Sequence, residues 1–374
     1  MLHSGVGVGD STATPTTALL LSVLQESTGR IATILFAHRL GTALEPECKM
    51  FRLAADIFND TAMVLDCLSP GFPKPIRVAV LSFSSCLRAL CGVCAGSAKA
   101  SLSAHFAKKG NLGEVNATVS TLLDGSGRQA GSLVVSYVSS PLATWATLIL
   151  LLSMHLGTNY AAVRAVSMHS LNRQRACILF SNLIQDGVVL SPHEVSARER
   201  IFEKTGVLRW SDGEVLGKCR IGVSLQELLG RIGTQHKQSG SVALRGLQTS
   251  DLLDIFITEA YVLWPATTAD EALIVLKAGC GPIDQLRAWA HALLLAKRAR
   301  SGDGSSGSKP DDGASPKAAK GDLNAELAEL TRTLKDVRAM FERYGDVMRE
   351  KGWDLGAAAM ETKAGTRLQV SMTE

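Results

Sequence analysis

The chain has 374 residues, enough for two domains and a sizeable core. It is 46% hydrophobic and 20% charged, below the ~25% charge of an average soluble domain, so it leans apolar. A net charge of +4 spread along the chain and an aromatic content of 5% offer neither a basic stripe nor a stacking surface, and so exclude a nucleic-acid-binding reading.

The cysteines, from Cys48 to Cys280, show no disulfide-like spacing, and reduced intracellular thiols are expected. The opening stretch has neither a basic region nor an apolar run, so it does not read as a signal peptide. Gly5, Gly7 and Gly9 are followed by Asp10, not by the Gly-Lys-Ser/Thr of a phosphate loop, and read as a flexible turn. Thr14 and Pro15 open a helix that runs to Leu40, interrupted at Gly29 and ended by Gly41.

The next helix, Pro46 to Leu68, is strongly patterned. Lys49, Arg52, Asp56, Asn59, Asp60 and Met63 recur at spacings of three and four and form one face. That face is either a solvated surface laced by Arg52–Asp56–Asp60 pairs or a polar lining inside an apolar bundle, where it would be a ligand or ion site. Ile76 to Ala95 is a third helix, apolar on most faces. Its Cys91 and Cys94 lack the further ligands of a zinc site and read as buried helical thiols. Lys99, His105, Lys108 and Lys109 then fall on a short basic helix ending at Gly110. It is either a solvated face or a contact for an anionic headgroup.

Gln129 to Val163 contains no Asp, Glu, Lys or Arg. Ser139, Ser140 and Pro141 can start a helix, and Leu142 to Val163 then suffices for the ~30 Å hydrocarbon core of a bilayer. Trp145 and Tyr160 sit near its ends, and Arg164, Arg173 and Arg175 follow, as at an interface. The alternative is a buried core helix. His155 and Asn159 lie inside the span and are costly in lipid unless paired.

Beyond a capping box at Ser191 to Glu194 the texture changes. β-rich runs at Arg220 to Val223, Ala260 to Trp264 and Ala272 to Leu276 alternate with helices from Leu225 and Pro282, and the last two runs read as a hairpin. Residues 300–321 are rich in Gly, Ser, Asp and Lys and read as a disordered insert. From Leu323 to Met348 apolar residues alternate four and three apart. This heptad seam either packs on the sheet or mediates self-association or partner binding. Thr366 to Ser371 can supply a last strand.

Four collinear blocks, GVGVGDSTATPTTALL, GRIATILFAHRLGTALEPECKMFRLAADIFNDTAMVLD, LCGVCAGSAKASLSAHFAKKGNLGEVNA and LGTNYAAVRAVSMHSLNRQRACILFSNLI, together resemble the root UV-B sensitive (RUS) family. The resemblance covers Gly5 to Glu203 well and the rest loosely. Members usually continue upstream of the first block. They also carry a Lys-Asp-x-Ser-Gln-Glu-like segment where this chain has TVSTLLDGSGR at 118–128. The resemblance implies links to root UV-B responses, seedling development, vitamin B6 homeostasis and auxin transport in plants and membrane proteins in other eukaryotes, and it brings no established enzymatic activity.

The expected architecture is mainly α. An N-terminal apolar helical bundle (1–205, with a membrane-associated helix at about 142–163) precedes a smaller α+β domain (206–299 and 322–374). The expected function is non-enzymatic and membrane-associated, at an intracellular membrane of plastid, mitochondrion or endoplasmic reticulum, with membrane lipid as partner and no cofactor or metal. The alternatives are a transporter-like bundle for a small anionic metabolite and a soluble partner-binding protein. The candidate polar residues are Arg52, Asp56, Asn59, Asp60, Lys99, His105, Arg173 and Arg175.

Overall fold

The computed structural model describes residues 15–106, 140–235, 242–244, 249–265, 271–301, 316–362 and 365–369. Contacts divide the chain into two units, Met1–Val166 and Ser167–Glu374. The glycine-rich turn at 5–9, Lys108, Lys109 and the 118–128 segment lie outside the described residues.

In the first unit, α1 (Pro15–Leu40), α2 (Cys48–Leu68), α3 (Lys74–Phe106) and α4 (Pro141–Ala165) are long helices. α1 packs on α3, α3 on α2, and α2 on α4. Gly29 does not interrupt α1 as expected; the helix runs through it. A β-carbon there would meet Ala89 Cβ and Ser85 Oγ at 3.4 Å, so the glycine serves a close crossing of α1 and α3. The Ser85 hydroxyl seals that crossing by donating to Gln25 O at 3.1 Å.

Lys99 and His105 do not form a separate short basic helix. They sit on the last turns of α3, which is continuous for 33 residues. Both α3 and α4 are long and apolar enough to cross a membrane, whereas the expected architecture placed a membrane-associated helix at α4 and read α3 as an apolar helix over Ile76 to Ala95. α4, with 25 residues, is ~37 Å long at 1.5 Å per residue. Ser140 caps it, accepting from Ala143 N at 3.1 Å, with Pro141 in the first turn. α4 is not a core helix, because among its residues Val163 alone is buried. The unit's apolar core is small: Ala43, Leu44, Phe51, Ala55 and Cys94, with Phe36 edge-on to Phe51.

The second unit contains α5 (Arg173–Asp186), α6 (Pro192–Arg198), β1 (Val207–Arg209), β2 (Val215–Ile221) and α7 (Leu225–Ile232). A small ribbon follows, β3 (Gly233–Gln235) with β4 (Val242–Leu244). Then come α8 (Thr249–Ile255), β5 (Tyr261–Trp264), β6 (Glu271–Lys277), α9 (Pro282–Ser301), α10 (Pro316–Glu350) and β7 (Arg367–Leu368). The main sheet has the order β1-β2-β6-β5. β2 runs parallel to β6 and β5 antiparallel, and β7 continues along β6 at Leu276 and Lys277. The continuous apolar run of β6 is buried from Ala272 to Leu276, as a central strand covered on both faces requires.

α9 lies across β1, β2, β5 and β6 and also packs against α5 and α10. The hairpin and the last strand are present where the sequence suggested them. The boundary is not. Residues 167–205 belong with the sheet, because α5 packs on α9 and β1, so the division falls after Val166 and not after residue 205. Residues 302–315 of the expected insert lie outside the described residues, and α10 already begins at Pro316. The heptad seam of α10 is used internally. Leu330, Leu334, Val337, Phe341 and Met348 are buried in the unit's core, and α10 packs on α9, which itself covers the sheet.

Candidate functional site

The charged stripe of α2 meets α4. The Arg52 guanidinium donates to Asp56 Oδ1 at 2.6 Å, one helical turn along, and to Asn159 Oδ1 at 3.5 Å. His155 Nδ1 lies 3.2 Å from Asp60 Oδ2. His155 and Asn159 are four apart on α4 and so share a face with Asp60 and Arg52, which α2 presents at its own helical spacing. Asp56 and Asp60 are 5% and 9% exposed, and Asp56 Oδ2 and Asp60 Oδ1 are buried without a hydrogen-bond partner. One turn and a half further along α2, Asp66 pairs with Arg88 of α3. α2 is thus a polar strut that offers a carboxylate to α4 on one side and to α3 on the other.

The eight candidate residues do not form one site. Arg52, Asp56 and Asp60 come together and recruit His155 and Asn159. Sequence reasoning had flagged that pair as needing partners without supplying them. Asn59 stays on its own helix, its amide 3.7 Å from Met63 Sδ. Lys99 and His105 lie towards the C-terminal end of α3, where the His105 ring meets Phe106 edge-on at 5.0 Å.

Arg173 and Arg175 belong to the second unit. Arg175 is buried, its Nε donating to Ser170 O at 2.7 Å and its NH1 to Glu199 Oε1 at 2.9 Å. It ties the start of α5, capped by Asn172, to the end of α6, and its role is structural. Arg173 lines a cleft of about 450 Å³ between the end of β2 and Thr362, Gly365 and Thr366.

Other titratable groups of the second unit are held neutral by burial. The Cys177 thiol is pushed up to about 11 and receives a hydrogen bond from Trp289 Nε1 at 3.2 Å. The His291 imidazole is driven down to about 3. Thr333 donates its hydroxyl proton to Glu329 O, so the ring donates from Nε2 to Thr333 Oγ1 at 2.8 Å. Nδ1 then accepts from Tyr261 at 3.2 Å. This network joins β5, α9 and α10. Among the described residues, no group of three or more His, Cys, Asp and Glu side chains is placed to hold a metal ion.

Residues 1–187 match the family model described as the vitamin B6 photo-protection and homoeostasis domain, and residues 242–363 match the root UVB sensitive protein C-terminal region. The chain is 32% identical over 304 residues to protein root UVB sensitive 3 of Arabidopsis thaliana, covering 79% of this chain and 65% of that protein. It is 36% identical over 228 residues to RUS family member 1 of Dictyostelium discoideum, covering 59% and 42%. It is 23% identical over 287 residues to the chloroplastic protein root UVB sensitive 2 of Arabidopsis thaliana, covering 75% and 61%. The chain therefore spans 42% to 65% of the length of these curated relatives. No solved structure matches it. The first family model spans half of the chain and takes in all of the helical unit, the second takes in β5, β6, α9 and α10, and the chain belongs to the root UVB sensitive family.

Proposed function

We propose that this protein is a non-enzymatic, membrane-associated member of its family, with the helical unit placed in an intracellular membrane and acting through binding. α4 carries the reading. It is 25 residues long, apolar and exposed along its length, and its interior polar side chains His155 and Asn159 turn to α2. Leu142, Ile149, Leu150, Leu151 and Met154 stand exposed, and each forgoes on the order of 1.5–3 kcal/mol of burial in water. Lipid removes that cost, and a polar residue inside a span is tolerated when it faces the bundle and is paired. α3 supports the same placement, because its central Arg88 is matched by Asp66. Family membership links the protein to the UV-B response and to vitamin B6 homeostasis.

A bundle that carries an anion fits less well. The α2–α4 cluster sets two buried carboxylates against one guanidinium, the wrong sign for an anionic passenger. Carbonate extraction of membranes from cells expressing the tagged full chain tests the reading. Retention in the pellet is expected. Release into the supernatant would overturn it and leave the soluble partner-binding alternative.

A further inference from the structure

We propose that the contact between α2 and α4 is a proton-binding site, in which Asp56 Oδ2 and Asp60 Oδ1 share one proton near neutral pH. The site goes beyond the membrane reading and does not rest on it, because both side chains are already buried by protein.

Each carboxyl group has one oxygen in use and one idle. Asp56 Oδ1 accepts from the Arg52 guanidinium at 2.6 Å, and Asp60 Oδ2 accepts from His155 Nδ1 at 3.2 Å. Asp56 Oδ2 and Asp60 Oδ1 are the two idle oxygens, cut off from solvent and without a hydrogen-bond partner. The Asp56 side chain is 7% exposed. A charged oxygen that meets neither water nor a donor is costly. The two aspartates lie four residues apart on α2, so their carboxyl groups are neighbours on one face. Their charges repel, and close carboxylates resist ionising together. One proton relieves both faults and needs no added space. It turns one idle oxygen into a donor and gives the other the hydrogen bond it lacks. A single negative charge then stands beside the single guanidinium of Arg52.

The neighbouring groups leave this role to the proton. On α2, Arg52 is engaged with Asp56, and Lys49 stands about two turns before Asp56. α4 brings His155, bound to Asp60, and Asn159, whose amide nitrogen donates to His155 O at 3.1 Å. α3 brings Cys91, within electrostatic reach of Arg52, Asp56 and Asp60. None of them donates to either idle oxygen. Burial pushes the Asp56 carboxyl above its ordinary value, against the pull of Arg52. The folded chain thus holds a proton that the unfolded chain gives up, and the stability this contributes is lost as pH rises through the titration of the pair. Asp66 is the contrast. Its Oδ1 is also buried without a partner, but it faces Arg88 and has no second acid one turn away on α2.

The test uses the purified full chain in detergent and reads the proton in two ways. Infrared absorption separates a protonated carboxyl from a carboxylate by its carbonyl stretch. At neutral pH the band of a protonated carboxyl is expected, fading as pH is raised. Asp56→Asn and Asp60→Asn should each remove it, because the asparagine amide then donates to the idle oxygen of the other residue. Asp66→Asn should keep it. The second reading is the proton released on full denaturation in weakly buffered solution at neutral pH. The unmutated chain should release one proton more than Asp56→Asn, and His291, present in both, cancels in the difference. Absence of the band, a band that survives in both Asp56→Asn and Asp60→Asn, or equal proton release overturns the proposal. The spectrum of the unmutated chain at neutral pH decides against it even if a variant fails to fold, because without the band no proton is shared.

Discussion

The two units solve the same problem in opposite ways. The sheet-bearing unit buries one continuous apolar core, from Leu171 to Met360, and among the described residues few large apolar side chains stand outside it. The helical unit buries a handful of residues around Phe51 and leaves Leu20, Ile34, Leu35, Phe83 and Leu150 exposed, while Asp56 and Asp60 are turned inward. In water the hydrophobic effect builds the first arrangement and opposes the second. In lipid no such drive acts between helices, and small-residue crossings and hydrogen bonds do the joining. Gly29 against Ala89, and Asp60 against His155, are contacts of that second kind.

The sharpest way to break the contrast is a matched truncation. Trp289→Ala, at the centre of the sheet unit's core, should cost ~3–5 kcal/mol, whereas Leu150→Ala on the open face of α4 should cost under ~0.5 kcal/mol. Denaturant midpoints in detergent measure both, and equal costs would mean that α4 is packed against protein. A second difference lies in pH. The His291 imidazole takes up a proton near 6.5 when unfolded but is held to about 3 when folded. The unfolded chain thus binds more protons between those values. The stability His291 contributes is complete above 6.5 and is lost as pH falls towards 3, by about 1.4 kcal/mol for each pH unit. The slope of stability with pH in that window should flatten by this amount in His291→Gln. The smallest expected effect is at the α2–α4 contact. A double-mutant cycle of Asp60→Asn and His155→Gln should give a coupling of ~0.6 kcal/mol, and at most ~1.7 kcal/mol, typical of polar contacts between helices in membranes. A coupling of zero would mean that the contact does not hold α4.

Local signals were legible in the sequence. Pro15 and Gly41 bracket α1, and the alternation of β5 and β6 with the helices around them marks the sheet. Partners across the chain were not. The pairing of Arg88 on α3 was not legible, because the Asp66 that matches it sits on another helix. His155 and Asn159 carried a usable signal, two polar residues four apart in an apolar helix, but periodicity does not say which helix answers them. The unit boundary was misplaced for the same reason. α5 is anchored by residues far along the chain, Cys177 meeting Trp289 112 residues later. β1, three residues long, is too short to show a period and is defined by its pairing with β2.

The contact between His291 and Thr333 has a consequence for registry. A repeating apolar seam such as that of α10 is tolerant of a slip by seven residues, because one leucine then takes the place of another: Leu327 for Leu334. The same slip would set Glu326 or Met340 opposite His291 in place of Thr333. Either choice strands a buried imidazole N–H or a carboxylate, at a cost of ~1–3 kcal/mol or more. One hydroxyl thus acts as the index mark that tells a sliding helix where to stop.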